Sequence, residues 1–533
     1  MTPRATRFEN TAYISERVIP SSLALFVLFL GCSRIHDLGV FGDLAAGHLI
    51  LERGELLRED CFSYSSAAST WTSTSWLFQS IVAVLDSIGG LKLISLLRAA
   101  CLSASFALLW WGRSAKSTPG TWNSAPEAMR WFLPTLCMVL WCPGIQQATS
   151  LFLFAAGLWL HQKAIRNVRW FLFLPVYQVL WGGFGSLAWL GPLLFGWTLF
   201  QGGPRKPALL SSGGAIIALL ANPYGLHGFL APLEAWRLWR ALFDSAAMDL
   251  FQVATLASEL RLEGLSPRVG LLLGLVFLWI GVSLPTLRVP GPNDLAQRLF
   301  ELVLLVLSCI DVLFVPFFAL VVGDSWVRRV RSRPISASHP GQAQRRSIVT
   351  LAFLFLATVA VPLRGWAFLS APEQSFSLGE PQEASQPILR AVRFAGREGM
   401  PAHAWVAPLK LASVYSYAHG PKRKVFADPR FDVIPIETYE YTEEILRRMD
   451  LASPDYDQRA PWDNDLRLED GTYPVLLLGV RDHLAQIRGV MLSHSWQLVY
   501  ADRTAAVFFQ RREARLLGLE PADPTPLFWA SRL

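Results

Sequence analysis

HDLGVFGDLAAGHLILERGELLREDCFSY, residues 36–64, lies between two apolar runs, 18–35 and 73–88. It carries Asp37, Asp43, Glu52, Glu55, Glu59 and Asp60 together with His36 and His48. Most of the first 370 residues suit a lipid surround, so this is their densest collection of groups able to do acid–base or metal chemistry. Within it, Phe41, Leu44, Ala45, Leu49 and Ile50 recur at helical spacing. That pattern predicts an amphipathic helix over 41–53, lying on a membrane surface.

The chain around this loop is apolar. Of 533 residues, 52% are hydrophobic and 17% charged, whereas soluble domains carry about 25% charged residues. That deficit, with the long apolar runs, predicts a polytopic membrane protein. The net charge of +7 is unevenly spread: from residue 371 onward 19 Lys/Arg face 22 Asp/Glu, a balance of −3, so the rest carries +10. Topology accounts for the basic excess, and no nucleic-acid partner is implied. Five of the six cysteines fall in apolar spans and the tail has none, so no disulfide framework is expected.

Arg4, Arg7 and Arg17 place the N-terminus in the cytoplasm, and the first span, read as an uncleaved anchor, carries the chain out. Residues 73–88 and 91–111 form a hairpin at Gly89-Gly90, with Asp86 and Arg98 near enough to pair. Further apolar runs at 131–160, 170–201, 208–221, 269–287 and 297–323 are broken at Pro143-Gly144, at Trp181–Ser186 and at Asn222-Pro223-Tyr224-Gly225. Residues 226–266 read as interfacial. The acid-free stretch 328–346, with six arginines, marks a cytoplasmic loop, and one more span at 347–367 leads outward. The total is roughly 11 spans. The reading divides the chain into a membrane domain, 1–370, with its first outer loop at 36–72, and an extracytoplasmic α/β domain, 371–533. In that tail, short strands near 404, 424, 473–480, 497–502 and 505–510 alternate with helical periodicity at 437–449 and 482–493.

Nucleotide-binding, zinc-protease and nucleophile-elbow motifs are missing where they would carry meaning. The first loop is left. A carboxylate there can deprotonate an acceptor hydroxyl, or paired carboxylates can hold a divalent cation beside a phosphate leaving group. The plainer alternative is a solvated acidic loop. His48 reads equally as a surface histidine. Trp71 and Trp76 can stack on a sugar face, or serve as interface-belt residues. Asp311 sits inside an apolar run, functional if the run is one helix and of little meaning if it is a joint between two. Asp428 and Arg430, in FADPRF, read as a structural ion pair closing a turn.

The order of features resembles the GT-C class of membrane glycosyltransferases. More narrowly, it is similar to bacterial multispan proteins related to the protein O-mannosyltransferase and lipid A aminoarabinose transferase families. The resemblance rests on Asp37, Asp43-Leu44, Gly47, Ile50-Leu51 and Gly54, then Asp60, Phe62-Ser63 and Trp71 to Trp76-Leu77. It continues at Asn222-Pro223-Tyr224-Gly225, at KVFADPRFDV, and at Trp496, Leu498–Tyr500, Asp502 and Ala506–Phe508. Asp43 stands where that group usually has His, and Gly39 where it often has a second Asp.

The resemblance implies a GT-C-like fold of about 11 spans and sugar transfer from a polyprenyl-phosphate donor to a glycan, lipid or protein acceptor outside the bacterial cytoplasmic membrane. It implies catalytic roles for Asp37 first, Asp43 second and Asp60 third. His48, Trp71 and Trp76 would meet substrate, and a divalent cation is the one cofactor the acids would hold. A transporter of lipid-linked substrates and a non-catalytic scaffold presenting the tail are the rival expectations.

Overall fold

The computed structural model describes residues 18–32, 35, 37–114, 124–142, 144–197, 205–231, 267–288, 292–331, 348–356, 358, 385–430, 433–457 and 459–529. The interfacial stretch from 232 onward, the core of the arginine-rich loop and most of the last expected span lie outside the described residues. The chain divides into two compact units. One comprises 1–35, 89–222 and 254–380; the other comprises 36–88, 223–253 and 381–533.

The first unit is helical. Its described helices include Ile19–Gly31, Ser124–Leu140, Ile145–Arg166, Phe173–Gly182, Arg205–Leu220, Pro267–Arg288, Pro292–Ile310 and Val315–Arg331. Each break between them frees backbone groups that an apolar surround cannot satisfy. Side-chain amides close the gaps. Gln147 Nε2 donates to the carbonyls of Trp141 (3.2 Å) and Leu313 (2.8 Å), and Gln178 Nε2 donates to that of Ala188 (2.8 Å). The unit exposes large apolar side chains, with Leu172, Val176, Leu210 and Phe277 between 68% and 78% accessible. Such a surface belongs against lipid rather than water. Asp311 lies between two helices and caps the short turn after it, accepting from Leu313 N at 2.8 Å, so the run 297–323 is jointed.

Among the described residues one helical run, Trp76–Trp110, is long and apolar enough to cross a membrane. Five shorter apolar helices accompany it: Ile19–Gly31, Trp131–Leu140, Leu187–Gly196, Val269–Gly281 and Val312–Trp326. The long run, Trp76–Ser114 in full, is interrupted at Gly90, where φ is 64° and ψ −161°. Only glycine adopts that backbone without strain, so the helix breaks at Gly90, within the Gly89-Gly90 pair expected to turn.

The second unit holds a five-stranded sheet in the order β2-β1-β3-β5-β4. The strands are β1 (His403–Ala407), β2 (Lys424–Val425), β3 (Val475–Gly479), β4 (Trp496–Ala501) and β5 (Ala505–Gln510). β2, β1 and β3 are parallel, joined across by the helices Leu409–His419 and Ile436–Met449; β3, β5 and β4 are antiparallel. β3 is buried at every position, as expected of a central strand covered on both faces. All five strands match the runs read from the sequence.

The first loop belongs to this unit. Its helix, Val40–Arg53, buries Val40, Phe41, Leu44, Ala45, Ala46, Gly47, Leu49 and Ile50. Ala45, Ala46, Leu49 and Ile50 share one core with Trp405, Leu478, Trp496 and Phe508 of the sheet. The expected placement of this helix on a membrane surface is therefore corrected: its apolar stripe faces protein, where each large side chain contributes about 1.5–3 kcal/mol by leaving water. Beyond the helix, residues 62–64 run beside β2, with Val425 N donating to Phe62 O and Tyr64 N to Val425 O, both at 2.9 Å. They cover what would otherwise be an open sheet edge.

Two expectations follow. A Cβ on Gly47 would lie 2.1 Å from the Gln79 carbonyl and 2.8 Å from the Ala83 methyl. Gly47→Leu should therefore cost about 3 kcal/mol, visible as a lower thermal midpoint of the purified full-length protein. Burial also lowers the pKa of His419 and of His483. Each then adds stability that is complete above the unfolded histidine value, about 6.5, and fades as pH falls below it. The melting midpoint should drop over that acid window, and His419→Gln with His483→Gln should flatten the drop.

Candidate functional site

The six residues singled out in and just after the first loop fall into five separate settings. Asp37 sits just before the Val40–Arg53 helix, half-buried, with Oδ1 accepting from Gly39 N at 3.0 Å. This is the local side-chain-to-backbone bond that short acids make at a helix entrance. The other carboxylate oxygen takes no hydrogen bond among the described residues.

Asp43 lies in the first turn of that helix, where an acid favours the positive end of the helix dipole. Its Oδ1 accepts from Gln79 Nε2 at 3.1 Å, and Gln79 Oε1 accepts from Ser73 Oγ at 2.8 Å. Asp43 is thus already tied into a polar network across the Gly47 contact.

Asp60 is 3% exposed and is engaged on every side. It accepts from the backbone N–H of Phe62 (2.9 Å) and Ser63 (3.3 Å) and from the Ser63 hydroxyl. Arg430 Nη1 lies 2.8 Å from Asp60 Oδ1, and Nη2 lies 2.7 Å from Asp428 Oδ2. Arg430 Nε donates to Asp428 at 2.8 Å. The ion pair read from FADPRF is present, and it has a third member from the first loop. The guanidinium stands over Trp71, 4.7 Å from its ring centre, and over Phe62, at 5.2 Å. Burial works against this cation, but Asp428 and Asp60 outweigh it and hold its pKa above the usual arginine value. Trp71, 3% exposed, is a wall of this buried cluster.

His48 is half-exposed. Its Nε2 lies 2.8 Å from Asp86 Oδ2, and the Tyr417 hydroxyl donates to the same oxygen at 2.8 Å. The expected Asp86–Arg98 pair is therefore replaced: Asp86 is held by His48 and Tyr417, and Arg98 Nε donates to Cys142 O at 3.1 Å. An apolar neighbourhood leaves a carboxylate needing donors, and Tyr417, 331 residues further along the chain, could not be seen as one from local spacing. Trp76 begins the Trp76–Ser114 helix, half-buried, and its indole N–H has no partner among the described residues.

The structure brings Asp60 and Trp71 together around Arg430 and leaves Asp37, Asp43 and His48 with partners of their own. Among the described residues, no three His, Cys, Asp or Glu side chains gather to hold a metal ion. Sequence reasoning missed one further polar cluster, in the helical unit. Glu301 is fully buried, paired with Arg298, and accepts from Trp279 Nε1 at 2.8 Å and Gln297 Nε2 at 3.1 Å. A charged pair inside a hydrophobic helix was its only signal.

No protein-family profile matches the chain, and no curated protein does. Solved structures do. The oligosaccharyltransferase AglB of Archaeoglobus fulgidus, in complex with an inhibitory peptide and a dolichol-phosphate, is similar at a TM-score of 0.53 and 10% identity, over 89% of this chain and 71% of that one. The apo form of the A. fulgidus oligosaccharyltransferase gives 0.49 and 11% identity over the same shares. ArnT of Cupriavidus metallidurans, also apo, gives 0.24 and 13%, over 92% of this chain and 97% of that one. The first of these carries the comparison, and at such identity it is a likeness of fold. The chain has the fold of GT-C multispan membrane proteins: a helical membrane part and a C-terminal domain, here with a small sheet.

Arg430→Ala should leave two buried carboxylates unpaired and cost about 3–5 kcal/mol. Arg430→Lys should restore little, because an ammonium cannot span Asp60 and Asp428 while stacking on Trp71. Thermal unfolding of both variants tests this. A full recovery by lysine would mean that charge alone matters.

Proposed function

We propose that the protein is a membrane glycosyltransferase that moves a sugar from a polyprenyl-phosphate donor to an acceptor outside the cytoplasmic membrane of a bacterium. The observation that carries this reading is Asp37, a half-buried carboxylate with one oxygen held by Gly39 N and the other without a hydrogen bond among the described residues, on the first loop of a GT-C fold. The similar oligosaccharyltransferase is described with a dolichol-phosphate and a peptide, which supports a lipid-phosphate donor and an acceptor bearing a nucleophile. Roughly 11 spans, with the N-terminus cytoplasmic and the tail outside, would put Asp37 on the acceptor's side.

In this mechanism the acceptor's O–H proton passes to Asp37. The acceptor oxygen bonds to the anomeric carbon from the face opposite the phosphate. The bond from that carbon to the phosphate oxygen breaks, and the polyprenyl phosphate leaves with the electron pair, so the anomeric configuration inverts. Asp37 suits the proton transfer because an acid positioned with one free oxygen can act as a general base. Asp43 is the second candidate. The contacts of Asp60 with Arg430 and the loop backbone suit a structural role better than a chemical one. Trp76 is the aromatic side chain better placed to meet a sugar, since Trp71 is enclosed.

One observation favours a second reading, a non-catalytic scaffold: Asp43 and Asp60 are both committed to contacts within the protein. Purified full-length protein in lipid nanodiscs, given labelled polyprenyl-phosphate sugars and membrane acceptors, separates the two. Asp37→Asn should lower transfer by about 10²–10⁴-fold with donor binding kept. Transfer that survives both Asp37→Ala and Asp43→Ala removes the site, and absence of both transfer and donor binding in the wild type selects the scaffold.

A further inference from the structure

Three side chains from three elements meet at one oxygen. His48 comes from the Val40–Arg53 helix, Asp86 from the stretch 76–88, and Tyr417 from the helix Leu409–His419 of the sheet domain. Their chemistry fixes the proton positions. A carboxylate is acceptor-only, and Tyr417 is a donor whose phenol burial and Asp86 hold well above its usual pKa. Nε2 of His48 must therefore carry a hydrogen toward Asp86. The bond persists with a neutral imidazole and becomes charge-assisted when the ring is protonated.

The other two elements clasp the loop helix at further points. Gly47 rests against Gln79 and Ala83, Gly42 against Ser413, and Phe41 packs on Tyr417 with ring centres 5.3 Å apart. Asp37 stands at the entrance of that helix, so whatever fixes the helix fixes Asp37.

We propose that His48, Asp86 and Tyr417 form an anchor by which the sheet domain positions Asp37, with His48 as a positioning residue; the proposal rests on the reading of Asp37 as the base.

Amide hydrogen exchange of full-length protein in nanodiscs tests this. Peptides covering 40–53 should exchange faster by about tenfold in Tyr417→Phe, in His48→Gln and in Asp86→Asn than in the wild type, with β3 peptides unchanged in every variant. Because His48 acts through the placement of Asp37, His48→Gln should lower kcat of transfer while leaving KM and donor binding unchanged. Exchange over 40–53 that is equal in all four proteins overturns the anchor, as does an unaltered kcat in His48→Gln. Wild-type protein that transfers nothing, with exchange still faster in the three variants, would remove the glycosyltransferase reading while supporting the anchor.

Discussion

Arg430 joins four acidic and aromatic partners, Asp428 beside it in sequence and Asp60, Phe62 and Trp71 from the distant first loop. One guanidinium face covers Trp71 and Phe62, and its edge meets Asp60 and Asp428. Removing a cation from water is costly, and only well-placed carboxylates offset it. Here two of them do, one from the first loop and one from the tail. The loop is therefore held by a charged centre surrounded by apolar walls, and the helix that precedes it inherits that placement.

The loop helix shows what periodicity can and cannot say. The spacing of Phe41, Leu44, Ala45, Leu49 and Ile50 identifies a helix with one apolar face, and the helix is there, at Val40–Arg53. The same spacing is silent on what covers the face. A bilayer and a protein core both satisfy an apolar stripe, and the choice between them is made by Trp405, Leu478 and Phe508, far away in the chain. The strands were legible for a related reason. β3 is a continuous apolar run bounded by turn residues, and β5 is close to one, which is enough to name a strand without knowing its neighbours.

The chemistry was less legible than the fold. Content and spacing gathered six acids into one loop, yet the structure distributes the best three among different tasks. Asp43 answers to Gln79, Asp60 to Arg430, and Asp37 to a local backbone N–H. Side-chain roles of this kind depend on partners brought in by folding. Asp86 illustrates it: a carboxylate in an apolar stretch calls for a donor, and the nearest one in sequence, Arg98, is not the one that folding delivers.

Residues 62–64 lie beside β2, and Ser65 Oγ donates to the Phe426 carbonyl across a separation of 361 residues. A chain made from its N-terminus exposes Leu49, Ile50 and Trp71 long before the sheet that buries them has been synthesised. Closing so wide a loop is slow on entropic grounds. Biogenesis therefore has an interval in which the first loop is an unfinished core with nothing to pack against. A chain ending before the tail would stay in that state, with apolar surface open to aggregation or to a chaperone. The later-made strands complete the core that Leu49, Ile50 and Trp71 begin.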